Sequence, residues 1–242
     1  RESLLLLLSD GDDAGALTLL VDDAAERGDY QECVELLRRL GAIAHTPEDK
    51  LRIALREAGL LAESIQDVDG AIERYENILK TLAPKSREAL AAIANLEEQR
   101  TNFPGAAHAL ERELVLVEGE TKIELAQRLA QLYETRIGDP RGAIRALELV
   151  HAADPEDFDA IARLEKLCGE VEDWPRVAHF LQLLIEVEGD EEEASRMTRR
   201  LAEILHDRLN RGDEALAALD RIADTGDEPC RRAYVELGDK LG

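Results

Sequence analysis

Apolar residues recur three and four positions apart along nearly the whole chain, in runs a few helical turns long that are separated by short polar breaks. Such spacing places them on one face of an α-helix. The stretch 129–155 shows the unit most clearly. Leu129, Ala130, Tyr133 and Ile137 form one stripe, Gly138, Asp139 and Pro140 interrupt it, and Ala143, Ile144, Leu147 and Val150 form a second stripe that stops at Asp154 and Pro155. Pro140 suits the first residue of a helix, where its missing N–H costs nothing. The unit is a two-helix hairpin, which cannot bury both stripes alone and must stack on copies of itself.

Six hairpins are expected at 14–45, 46–84, 85–118, 119–155, 156–189 and 190–226, preceded by the end of a helix within 1–13 and followed by a terminal helix at 227–242. They read as a single array. A small residue opens each second helix: Cys33, Ala71, Ala106, Ala143, Val177 and Ala215. The steps between these positions alternate between long and short, so the true period is a pair of hairpins, about 72 residues. Independent residues keep the same beat. Tyr30, Phe103 and Trp174 stand at the turn of every second hairpin, each after a polar residue (Asp29, Asn102, Asp173). In the intervening hairpins the first helix is longer by about a residue and carries Ile65, Ile137 or Leu209 before its turn. Ala58, Ala130 and Ala202, and likewise Arg56, Arg128 and Arg200, recur in those longer helices.

Arg27 to Cys33, Leu129-Ala130 followed by Tyr133, and the closing Pro155 together resemble the tetratricopeptide repeat family, over nearly the entire chain. The departures are systematic: alanine replaces the family's glycine at Ala94, Ala130 and Ala202, and Glu165 does so once. The resemblance implies an all-α fold, an α-solenoid wound as a right-handed superhelix of stacked antiparallel hairpins, with first helices on a concave face that binds partners. On that geometry the partner-binding residues are Arg52, Asn95, Glu98, Gln99, Gln127, Gln131, Glu134, Lys166, Glu170, Arg199 and Glu203. The lysine and asparagine clamp that some family members use for a C-terminal carboxylate is not reproduced by Ala91 with Asn95 or by Ala162 with Lys166.

Composition narrows the partners. Of 242 residues, 53 are acidic and 30 basic, a formal charge of −23 spread along the length, which repels nucleic acid and anionic membrane surfaces. The acidic faces keep a long helical molecule soluble, and they favour a protein partner with a basic surface or peptide. Cys33, Cys168 and Cys230 are far apart, without CxxC pairing, and read as reduced packing residues suited to the cytoplasm. The apolar run Leu4 to Leu8 is too short to span a bilayer.

No catalytic constellation emerges. His45, His108, His151, His179 and His206 never fall at zinc-ligand spacing, and neither a phosphate-binding glycine loop nor a GxSxG elbow occurs. His151 reads as a partly buried packing residue. The arginine series reads as structural ion pairs with nearby acids such as Glu57, Glu124 or Glu203. The expectation is therefore a non-enzymatic interaction scaffold or adaptor without metal or cofactor, part of a larger protein, that binds a peptide, helix or small folded protein. The alternative is an assembly module in which uncapped array ends drive homo-oligomerisation.

Overall fold

A computed structural model describes residues 11–223 and 228–241, and it is helical throughout: among the described residues there are thirteen α-helices and no strand. The reading of residues 1–9 as a helix end lies outside the described residues. The helices fall into two compact units, the first ending at Glu118 and the second beginning at Gly119.

The first unit holds α1 (Ala14–Glu26), α2 (Tyr30–Ile43), α3 (Pro47–Leu60), α4 (Val68–Thr81), α5 (Arg87–Gln99) and α6 (Phe103–Leu114). They pair as α1 with α2, α3 with α4 and α5 with α6, and each hairpin also packs on the next. The second unit holds α7 (Gly119–Leu132), α8 (Pro140–Ala153), α9 (Phe158–Glu170), α10 (Trp174–Val187), α11 (Glu191–Glu203), α12 (Gly212–Ala223) and α13 (Glu228–Leu241). There α7 pairs with α8, α9 with α10 and α11 with α12, and α13 closes on α12.

Helix starts are written in the acidic residues. Asp13, Asp29, Asp67, Asp139, Asp157, Asp173 and Asp190 each accept a backbone N–H of the first turn, as do Thr46, Ser86 and Asn102. Each such cap contributes about 1 kcal/mol by satisfying a donor that the helix leaves open. Part of the acidic excess is therefore structural. Tyr30, Phe103 and Trp174 follow three of these caps as first residues of α2, α6 and α10, which explains the polar residue before each aromatic.

Hairpin turns share one backbone solution. A single residue adopts the left-handed conformation: Gly28 (φ 73°), Gln66 (61°), Thr101 (62°), Gly138 (73°), Glu172 (60°) or Asn210 (55°). In α1, α5 and α9 the chain then folds back so that the N–H groups of Asp29, Asn102 and Asp173 donate to the carbonyls of Ala24, Glu97 and Cys168. This closes the orphan carbonyls of the helix end.

The longer first helices differ at their last turn. Leu61–Ile65, Tyr133–Ile137 and Ile204–Arg208 are π-helical. A π-turn holds one more residue than an α-turn over the same rise, so it is where the extra residue of every second hairpin goes. The double period is thus a property of the backbone as well as of the side chains.

The core lies between hairpin layers and is built from small residues at the close crossings. Cys33, Ala71, Ala106, Ala143, Val177 and Ala215 are all fully buried, and Ala58, Ala130 and Ala202 are at most 4% exposed. Leucines fill the wider gaps, as Leu17, Leu20 and Leu37 do around Cys33.

Candidate interaction surfaces

The residues expected to bind a partner all lie on first helices or in the π-turns that end them. In the first unit Arg52 is on α3 and Asn95, Glu98 and Gln99 are on α5; Arg52, Asn95 and Gln99 are exposed and Glu98 is half-buried. In the second unit Gln127 and Gln131 are exposed on α7, and Glu134 is half-buried in its π-turn. Lys166 and Glu170 are exposed on α9; on α11, Glu203 is exposed and Arg199 half-buried.

Five of these seven residues of the second unit come together. A cleft of about 620 Å³ between α7 and α9 is lined by Glu124, Gln127, Arg128, Gln131, Glu134 and Arg163. A second of about 340 Å³ continues it past Lys166 and Glu170. Glu134 and Arg163 line both. The Arg163 guanidinium grips Glu134 Oε1 through Nε at 3.1 Å and through a terminal nitrogen at 2.6 Å, so the ridge between the clefts is a fixed ion pair. Arg199 and Glu203 are on α11, outside the clefts, and Arg52, Asn95, Glu98 and Gln99 belong to the other unit. Arg163 was not anticipated. Its signal was the acid on the preceding first helix, legible only once the stacking of helices is known.

Two of the recurrent arginines are ion-paired to acids other than those the sequence pointed to. Arg56 on α3 contacts Asp22 on α1 at 3.1 Å, and Arg200 on α11 contacts the buried Glu165 on α9 at 2.6 Å. Both reach to the preceding first helix instead of along their own. Glu57 instead takes Arg38 and Arg74. Arg128 lines the first cleft together with Glu124.

His151 packs edge-on against Phe180, ring centroids 5.9 Å apart, with a buried Nδ1 that has no hydrogen-bond partner. Cys33 and Cys168 are buried free thiols. Burial pushes the Cys168 thiol up to about 11 and raises that of Cys33. Among the described residues no three histidine, cysteine or acidic side chains converge as a metal site, and no helix is long and apolar enough to cross a membrane.

Neither a protein-family profile nor a curated protein sequence matches the chain. Solved structures do. The complex of Naa15 and Naa10 bound to HypK-THB contains a chain that aligns with 93% of this one and 39% of its own length, at 17% identity and a TM-score of 0.51. The MamA protein aligns over 81% of this chain and 94% of its own at 15% identity and a TM-score of 0.44. A tetratricopeptide repeat protein from Parabacteroides merdae aligns over 93% and 83% at 16% identity and a TM-score of 0.41. Within each unit, antiparallel hairpins pack on one another through buried small residues. The fold is the stacked helical-hairpin fold that the tetratricopeptide resemblance implied. The α7–α9 clefts lie between the first helices of two adjacent hairpins, and their walls are set by those hairpins.

Proposed function

We propose that the chain is a non-catalytic scaffold whose first-helix face in the second unit docks a peptide, a helix or a small folded protein. The observation that carries this reading is the pair of adjoining clefts across the Glu134–Arg163 ridge. Their polar groups stand on helices held by buried crossings, so a ligand meets side chains that lose little freedom when they engage it. Exposed glutamines along α7 offer both donors and acceptors to a peptide backbone. Glu124, Glu134 and Glu170 stand beside Arg128, Arg163 and Lys166, a mixed lining that favours a partner with charges of both signs. The acidic field of the whole chain draws in the basic part of that partner first.

A photo-crosslinking residue placed at Gln131 is expected to capture the partner in cells, and Lys166→Glu combined with Gln131→Glu should weaken capture about tenfold or more. Capture that survives both changes, or that is equally strong from a probe on the exposed surface of α12, refutes the assignment.

A further inference from the structure

A wide cleft of the first unit lies on the opposite class of helices. It measures about 1,010 Å³ and is formed by the second helices α2, α4 and α6 with α3 at its floor. At the floor is Glu57, only 2% exposed. Its Oε1 accepts from Arg38 Nε at 2.8 Å, and Arg74 Nε lies 2.6 Å from its Oε2, a charge contact off the line of a straight hydrogen bond. Both arginines are held through Nε, and among the described residues neither has a further ion pair for its two terminal nitrogens. Lys50 and Lys80 stand exposed at the rim, and Arg112 pairs with Glu76 at 2.8 Å.

Packing does not require this arrangement. A shift of 144 residues, two double periods, carries Arg38, Glu57 and Arg74 onto Gln182, Leu201 and Ala218. These three line a cleft of about 440 Å³ formed by α10, α11 and α12 of the second unit. The same crossing is therefore made there with neutral residues, and Leu201 is 3% exposed where Glu57 is 2%. Burying a carboxylate between two guanidinium groups is seldom more stabilising than an apolar replacement. The first unit keeps a charged set that its own repeat shows to be dispensable for the fold, and that set orients two guanidinium groups toward one opening.

We propose that this cleft docks a carboxylate-rich segment of a partner protein, clamped by Arg38 and Arg74 and steered by Lys50 and Lys80. Guanidinium groups already fixed by Glu57 lose little freedom on gripping a carboxylate. The lining holds five cations against the three carboxylates Glu57, Glu73 and Glu76, an excess of two in a chain of net charge −23. Two ligand carboxylates balance that excess. A phosphate-rich polyanion brings more negative charge than the cleft neutralises and meets the acidic faces beyond it.

The test is fluorescence anisotropy of a labelled diglutamate peptide, two adjacent glutamates between glycine-serine flanks with blocked termini, with the full chain at about 0.1 M salt, where the screening length of about 10 Å lets the peptide sense the cleft and not the distant acidic faces. Saturable binding is expected. The triple variant Arg38→Gln, Glu57→Leu, Arg74→Ala adopts the residues of the neutral cleft, so its circular dichroism and melting curve should match the parent while affinity falls about tenfold or more. Arg196→Gln, exposed on α11 and outside the clefts described, should leave affinity unchanged, and because this binding is read without the probe at Gln131, failure of this proposal is separate from failure of the scaffold reading. Should the triple variant lose helix, the surface pair Lys50→Ala and Lys80→Ala decides, with a loss of about threefold or more expected. The proposal is overturned if the diglutamate peptide fails to bind, if the variant that folds binds within about twofold of the parent, if the lysine pair changes nothing, or if a phosphopeptide or single-stranded oligonucleotide displaces the diglutamate peptide at lower concentration than its unlabelled form does.

Discussion

Gly142 tests the packing between a π-turn and the helix that follows it. It sits in the first turn of α8, and a Cβ built there lies 2.7 and 2.8 Å from ring carbons Cδ1 and Cε1 of Tyr133, and 2.6 Å from Oδ2 of the cap Asp139. The Asp139 carboxylate can swing aside, but Tyr133 is only 9% exposed and anchors the π-turn. Overpacking of this kind costs about 1 to 3 kcal/mol. Alanine also gains up to about 1 kcal/mol over glycine inside a helix, so the steric cost is masked in a single measurement. Gly59 on α3 provides the reference: an added Cβ there meets nothing within 4 Å, and Gly59→Ala should stabilise by the helix gain alone. In urea melts, Gly142→Ala should lie below Gly59→Ala by roughly the full overpacking cost. For a unit of this size that is a gap of about 3 to 10 °C in Tm. Tyr133→Leu should shrink the Gly142→Ala penalty in a double-mutant cycle. Equal stability of the two alanine variants refutes the close approach of α8 to the π-turn.

Three further outcomes are expected. Asn102 accepts from Gly105 N at 3.4 Å while its Nδ2 donates to the buried Glu97 at 2.9 Å, so Asn102→Asp, which keeps the cap but sets two carboxylates together, should cost about 1 to 3 kcal/mol at pH about 7 in chemical denaturation; the reverse changes Asp29→Asn and Asp173→Asn should cost far less. Burial raises the Glu165 carboxyl above its usual 4.5 against the pull of Arg200, so its contribution to stability is complete below the unfolded value and lost as pH rises through the higher folded one. Glu165→Gln should therefore gain on the parent between pH about 4 and about 7, and a difference that is flat across this window disproves the shift. Cys33 and Cys168, buried with raised thiols, should resist alkylation at pH about 8 until denaturant is added, as read by peptide mapping, whereas rapid native labelling of either contradicts its burial.

The sequence made the helices and their pairing legible because both are set locally: apolar spacing fixes the faces, and an acid or amide followed by an aromatic or proline fixes each turn. The added residue before Ile65, Ile137 and Leu209 was visible, yet its form as a π-turn was not, because a helix can also absorb a residue by lengthening. The partners of Arg56 and Arg200, and the Arg163 pair, were not legible for a related reason. Within one helix the candidates lie three or four residues away, whereas Arg56, Arg163 and Arg200 reach 34, 29 and 35 residues back to Asp22, Glu134 and Glu165. Those distances follow from repeat stacking and from no local pattern. The candidate binding residues were chosen by helix face alone, which explains why they were spread over both units and why only Gln127, Gln131, Glu134, Lys166 and Glu170 share the two α7–α9 clefts.

The double period also explains why equivalent clefts have diverged. A π-turn ends α3, α7 and α11 but not α1, α5 or α9, so successive hairpin junctions within a unit are unlike, and only junctions two hairpins apart are true copies. Copies that share a backbone differ in side chains around the fully buried small residues that both keep at the crossing, Ala71 in one and Ala215 in the other. Glu57 and Leu201 occupy the same place on these terms, one charged and one apolar, with the helices around them unchanged in kind. Chemistry at a junction is therefore decoupled from the stability of the array. That is the property that lets a repeat scaffold carry different docking sites in its two halves without altering the frame that holds them.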